Sequence, residues 1–125
     1  MATTASFPSE TRAVGEARQF VLIAGEVPDE AAGDVALLVS EVASNAVLHA
    51  RSPFTVTVER DGSNLRVAVS DNSAVLPVVK NLSNEATTGR GLRILGALAQ
   101  DWGVEPDGDG KTVWFEVDLD EVAIA

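Results

Sequence analysis

The apolar residues of this chain change their period at Ser52-Pro53, and that change constrains the fold more than any other feature. Before it, Ala13, Val14, Ala17, Phe20, Val21 and Ala24 recur at steps of three and four up to Gly25. Leu38, Val39, Val42, Ala46 and His49 recur in the same way within the stretch Leu37 to Ala50. Such spacing puts each set on one side of an α-helix. After it, Phe54, Val56 and Val58 alternate with polar residues, as do Leu65, Val67 and Val69, and later Val113, Phe115, Val117 and Leu119. Strict alternation gives a strand with one covered face. Only Leu92 to Ala99 returns to helical spacing. Helices segregated from strands predict an α+β two-layer sandwich, with a mixed or antiparallel sheet covered on one face by about three helices.

Punctuation residues set the expected boundaries. Ser9 is a candidate N-cap after Pro8, with Glu10 in the first turn, and Gly25 is a plausible stop. Pro28-Asp29 opens a second helix, Asp29 capping, that runs to Ala50. Asp61-Gly62-Ser63-Asn64 joins strands 54–60 and 65–71 as a hairpin, and Asp107-Gly108-Asp109-Gly110 joins strands 102–106 and 111–119. Residues 72–88 lack periodicity over a length typical of lids and other functional loops. The organisation expected is a flexible arm over 1–8, one domain over 9–119 and a tail over 120–125.

Composition removes several classes of function. The 125 residues make one domain and not two. With no cysteine, disulfides, thiolate nucleophiles and thiolate metal sites are excluded, and a single histidine disfavours zinc. A net charge of −10 argues against direct nucleic-acid binding, which depends on Lys and Arg neutralising phosphates. No apolar run approaches the roughly 20 residues of a membrane span, and MATTASFPSE lacks the basic and apolar regions of a signal peptide. The expectation is a cytoplasmic protein without a membrane partner.

Three places hold polar groups where a core is expected. Glu41 and Asn45 lie one helical turn apart, at the edge of the apolar stripe. They are either solvated helix residues or ligands of a cation with its water shell. Asp71 shares the parity of Leu65, Val67 and Val69 at the end of its strand, where it either accepts hydrogen bonds from a ligand or caps the turn. Thr88-Gly89-Arg90-Gly91 precedes the helix beginning at Leu92. Glycines there let backbone N–H groups approach a phosphate, and Arg90 adds a charge, although glycines also serve plain turns. His49, on the inner stripe, reads as structural, and Trp102 and Trp114 as core or interface aromatics.

The ordered set LLVSEVASNAVLHA, VAVSDN, TTGRGLRIL with ALAQDWGV, and GKTVWFEV resembles the histidine-kinase-like ATPase (GHKL, or Bergerat) superfamily. Within it, the chain looks like the anti-sigma-factor serine kinases of actinobacteria. The resemblance implies ATP and Mg2+ as cofactors. It implies a sigma factor and an anti-sigma-factor antagonist as protein partners, and homodimerisation. Residue by residue, Glu41 matches the general base and Asn45 the magnesium ligand. Asp71 matches the acceptor of the adenine amino group. Gly89, Arg90, Gly91 and Leu92 fall at the second glycine box beside the phosphates, and residues 72–88 at the ATP lid.

Two departures stand out. The first glycine box, D-x-G-x-G in relatives, is Asp71-Asn72-Ser73-Ala74-Val75 here, without either glycine. Where many relatives carry a threonine after Gly110, this chain has Lys111, and Thr112 points to the opposite face. Two functions are therefore expected to compete. One is a serine/threonine kinase acting on an anti-sigma-factor antagonist. The other is a partner-binding module of the same fold that has lost efficient use of ATP.

Overall fold

The computed structural model describes residues 2–72, 98–108 and 110–120, except for the side chains of residues 49, 50 and 107. Five strands form one antiparallel sheet in the order β1-β2-β3-β5-β4: β1 Ala2–Phe7, β2 Phe54–Asp61, β3 Asn64–Asp71, β4 Asp101–Asp107 and β5 Gly110–Asp118. Two helices, α1 Arg12–Ala24 and α2 Asp29–Asn45, cover one face, and a π-helical turn, Ala46–Ala50, extends α2. Of the mixed and antiparallel alternatives, every pairing among the described strands is antiparallel. The expected third helix falls on residues outside those described, apart from its end at Leu98.

The layer between helices and sheet is made by the residues whose periods were read above. Val21, Val35, Leu38, Val39, Val56, Leu65, Val67, Phe115 and Val117 have no measurable exposure or nearly none. Burying each such side chain is worth about 1.5–3 kcal/mol. The opposite sheet face is built from the alternate residues. There Thr4 and Thr57 hydroxyls meet at 3.1 Å and Ser70 and Thr112 at 2.7 Å. Arg66 lies 4.4 Å from the centre of the Trp114 ring and pairs with Glu116 at 3.2 Å. Trp114 also lies against Gly103, where a Cβ would come within 2.8 Å of Nε1. Trp102, by contrast, packs against the core from the helix side.

Several boundaries differ from expectation for identifiable reasons. The arm expected to fray over 1–8 forms β1, paired with β2 from Ala2↔Glu59 to Phe7↔Phe54. Phe7 anchors it, stacking on Phe54 at 5.4 Å and meeting Phe20 edge-on at 6.0 Å. Ser9 is not the N-cap. Pro8 to Glu10 make a turn closed by Glu10 N–H to Pro8 C=O at 2.8 Å, and α1 starts at Arg12 behind Thr11. Asp29 is likewise inside α2 instead of capping it, with Pro28 at the N-cap in an extended conformation. There Asp29 and Glu30 oppose the positive end of the helix dipole.

The C-terminus of α1 recruits a distant partner. Arg60 donates to the carbonyls of Gly25 at 2.7 Å and Glu26 at 2.6 Å, and also to Gly62 at 2.8 Å. Those carbonyls lie past the last turn, where helical partners run out. The two helices are tied by Arg18, which donates to the Ser40 hydroxyl at 3.0 Å, while Ser40 donates to Ala36 C=O at 2.7 Å.

By length and composition, Asp29–Leu48 does pass for a membrane span, with a mean hydropathy of 1.4. This differs from the expectation that no stretch approaches a membrane span. Its apolar residues, however, include Ala31, Val35, Leu38, Val39 and Val42, which are spent on the core between helices and sheet.

Candidate functional site

The α2 stripe does what its spacing predicts: Leu38, Val39, Val42, Ala43 and Ala46 are buried. Glu41 and Asn45 sit at its margin, both half-buried. Neither side chain has a hydrogen-bond partner among the described residues, so both remain available to a ligand. Directly after Asn45 the helix widens into the π turn, a local device that often accompanies functional sites. Arg51 ends it in a left-handed conformation, φ 53°, and turns the chain into β2. The His49 side chain lies outside the described residues.

This turn brings the carboxyl end of α2 to the end of the sheet where β3 finishes. Ser52 makes the join. Its N–H donates to Ala46 C=O at 3.4 Å, and its hydroxyl accepts from Asn72 N–H at 3.0 Å. Phe54, the first residue of β2, pairs with Asp71, the last of β3. The helix carrying Glu41 and Asn45 is therefore stitched to the strand end carrying Asp71. Gly110 closes the corner from β5: a Cβ there would collide with the Asp71 carbonyl oxygen.

Asp71 is buried on the helix-facing side, as parity required. Its carboxylate Oδ2 accepts from Lys111 Nζ at 2.7 Å, with the side chains 3% and 1% exposed. Lys111 is the cross-strand neighbour of Asp71 in the β3–β5 register and follows the inward parity of Val113, Phe115 and Val117. This pairing was not among the expectations from sequence. The signal was present, since a lysine in phase with an inward apolar face needs a buried acid. Thr112 faces the other way and meets Ser70, as its parity predicted.

The phosphate-side candidates Gly89, Arg90, Gly91 and Leu92 lie outside the described residues, as does the expected lid apart from Asn72. Of the expected set, Asn45 precedes the turn that is stitched through Ser52 to the strand end carrying Asp71, and Glu41 lies one helical turn before it. No group of three or more His, Asp or Glu side chains arranged to hold a metal occurs among the described residues. A divalent ion at Asn45 would thus take most of its oxygens from phosphates and water, as magnesium commonly does.

Comparison with known proteins agrees with this architecture. The histidine kinase-like ATPase domain family matches residues 7–117. Blue-light-activated histidine kinase 2 of Erythrobacter litoralis (strain HTCC2594) is 35% identical over 106 residues. That match covers 77% of this chain, which spans only 30% of the kinase. Among solved structures, the RsbU and RsbW domains of Rv1364c from Mycobacterium tuberculosis superpose with a TM-score of 0.69 at 17% identity, over 94% of this chain and 32% of that one. The histidine kinase domain of the Erythrobacter litoralis EL346 blue-light activated histidine kinase superposes with a TM-score of 0.62 at 23% identity, over 94% and 64%. At these identities the two superpositions speak for the fold alone.

Proposed function

The chain belongs to the histidine kinase-like ATPase family, whose domain implies ATP binding, and from that premise we propose that it is an anti-sigma regulatory protein kinase. In this reading it binds Mg-ATP between α2 and the sheet and phosphorylates a serine or threonine of an anti-sigma-factor antagonist. Its partners in this reading are a sigma factor and the antagonist, and its setting is the cytoplasm. The observation that carries the reading is the stitching of the helix end bearing Glu41 and Asn45 to the strand end bearing Asp71, with Glu41 and Asn45 half-buried and without a hydrogen-bond partner among the described residues.

Each residue has a task there. Asn45 offers a neutral amide oxygen to Mg2+, which would neutralise charge on the phosphates when bound. Glu41, one turn away, accepts the proton of the attacking hydroxyl. Asp71 accepts from the adenine amino group. Gly89, Arg90, Gly91 and Leu92 hold the phosphates through backbone N–H groups and the Arg90 charge.

The test is transfer of labelled phosphate from Mg-ATP to a cognate antagonist. A phosphoserine or phosphothreonine should form with the wild-type protein and fall by about 100-fold or more with Glu41→Ala. Undiminished transfer by Glu41→Ala would remove Glu41 from this role.

A second reading, a partner-binding module with impaired use of ATP, is favoured by one observation: Lys111 already occupies the Asp71 carboxylate. A melting curve separates the two. Ligand at about 100 times its Kd adds about 2.7 kcal/mol, so a Tm unmoved by millimolar Mg-ATP favours the module.

A further inference from the structure

The Asp71–Lys111 pair has a consequence for any ligand that uses Asp71. A carboxylate is an acceptor only and an ammonium a donor only. In this structure Lys111 Nζ donates to one carboxylate oxygen, Oδ2, at 2.7 Å across adjacent strands, the pair almost fully removed from water, and Asp71 has a further interaction besides. An adenine amino group is also a donor. It seeks a lone pair of the same buried carboxylate, one of whose oxygens Lys111 holds.

We propose that Lys111 is the affinity- and specificity-determining residue of the base site, an internal competitor that adenine must displace from Asp71. The proposal rests on the ATP-binding reading above. The geometry supports competition over simple coexistence in two ways. The lysine is locked in by register: β5 places it opposite Asp71, with Val113 and Phe115 continuing the same buried face. The backbone corner beside it has no slack, because Gly110 already lies against the Asp71 carbonyl and Asn72 is tied to Ser52.

The proposal has an unusual sign. Removing a cation from a chain of net charge −10 should, by general electrostatics, weaken the binding of a polyanion. Removing the hold of Lys111 on Oδ2 instead tightens the binding of anything that presents an adenine amino group. The two effects separate on a ligand without a base.

Calorimetric titration of wild type, Lys111→Thr and Lys111→Met with Mg-ATP and with Mg-tripolyphosphate makes that separation. The expected result is a Kd for Mg-ATP lowered about tenfold in both variants, equivalent to about 1.4 kcal/mol, with the Kd for Mg-tripolyphosphate unchanged or raised. A Kd for Mg-ATP that is unchanged or raised in variants that still melt cooperatively overturns the proposal, while the ATP-binding reading stands. Equal gains for both ligands overturn it too, since the base would then be irrelevant. Absence of Mg-ATP binding by every protein overturns the ATP-binding reading and the proposal with it.

A measurement on the wild type covers the case in which the variants do not fold. The chain has two lysines, Lys80 and Lys111, so 15Nζ labelling in a Lys80→Arg background reports Lys111 alone. The buried, paired ammonium gives a slowly exchanging resonance. Saturating Mg-ATP should abolish or shift it, whereas Mg-tripolyphosphate should leave it in place. A resonance unmoved by saturating Mg-ATP refutes displacement.

Discussion

The Asp71–Lys111 pair also makes a stability claim with a worked magnitude. Lys111→Met keeps most of the length of the side chain as an apolar stem and removes the ammonium. The carboxylate left behind is 3% exposed, too buried to be rehydrated in place. Breaking a buried pair from one side costs about 3–5 kcal/mol. Asp71 keeps a further interaction besides Lys111, so the lower end, about 3 kcal/mol, is expected. At about 2.1 cal/mol/K per residue, a 125-residue domain changes its Tm by about 4 °C per kcal/mol, so the melt should fall by about 12 °C. The assay is urea and thermal unfolding of wild type, Lys111→Met, Asp71→Asn and the double variant. Asp71→Asn/Lys111→Met removes both charges but keeps a hydrogen-bonding group at position 71, and should recover about 2 kcal/mol of the loss. If Lys111→Met unfolds with wild-type stability, or if the single effects simply add, the two groups are not a buried pair and the competition argument loses its footing.

Gly103→Ala should cost about 1–3 kcal/mol, because the new methyl meets the Trp114 indole at 2.8–2.9 Å; in a Trp102→Phe background, Trp114 fluorescence should shift together with the urea midpoint. Arg60→Ala should cost about 1–3 kcal/mol in urea unfolding, leaving the Gly25 and Glu26 carbonyls without their charged donor, with amide exchange rising at the end of α1. Arg12→Ala should change stability by less than about 0.5 kcal/mol, because the Arg12–Glu10 pair is well exposed and screened by salt.

Most of the architecture was legible because burial in a two-layer sandwich imposes a period. Val56, Val67, Val117 and Leu38 lie inward for the reason their spacing gave. Glu41 and Asn45 were legible as neighbours at the margin of a stripe, and Asp71 as an inward carboxylate, for the same reason. The places that were not legible depend on partners far away in sequence. β1 is short and polar on its own and becomes a strand because β2 offers an open edge and Phe7 finds Phe54 and Phe20. The π turn after Asn45 leaves no mark in the local period, since Ala46 and Val47 remain buried on either winding.

The pairing of Asp71 with Lys111 lies between these cases. Asp71 alone looked like a ligand acceptor or a turn cap, and Lys111 only like a substitute for the threonine of relatives. Parity gave each the same inward face, but only the β3–β5 register makes them neighbours, across 40 residues of chain. An acid and a base that share an inward phase on strands able to pair should therefore be read as a single neutral unit before either is given a ligand. A lone Asp71 would be an acceptor waiting for a base, whereas Asp71 held by Lys111 is an acceptor that a base must win.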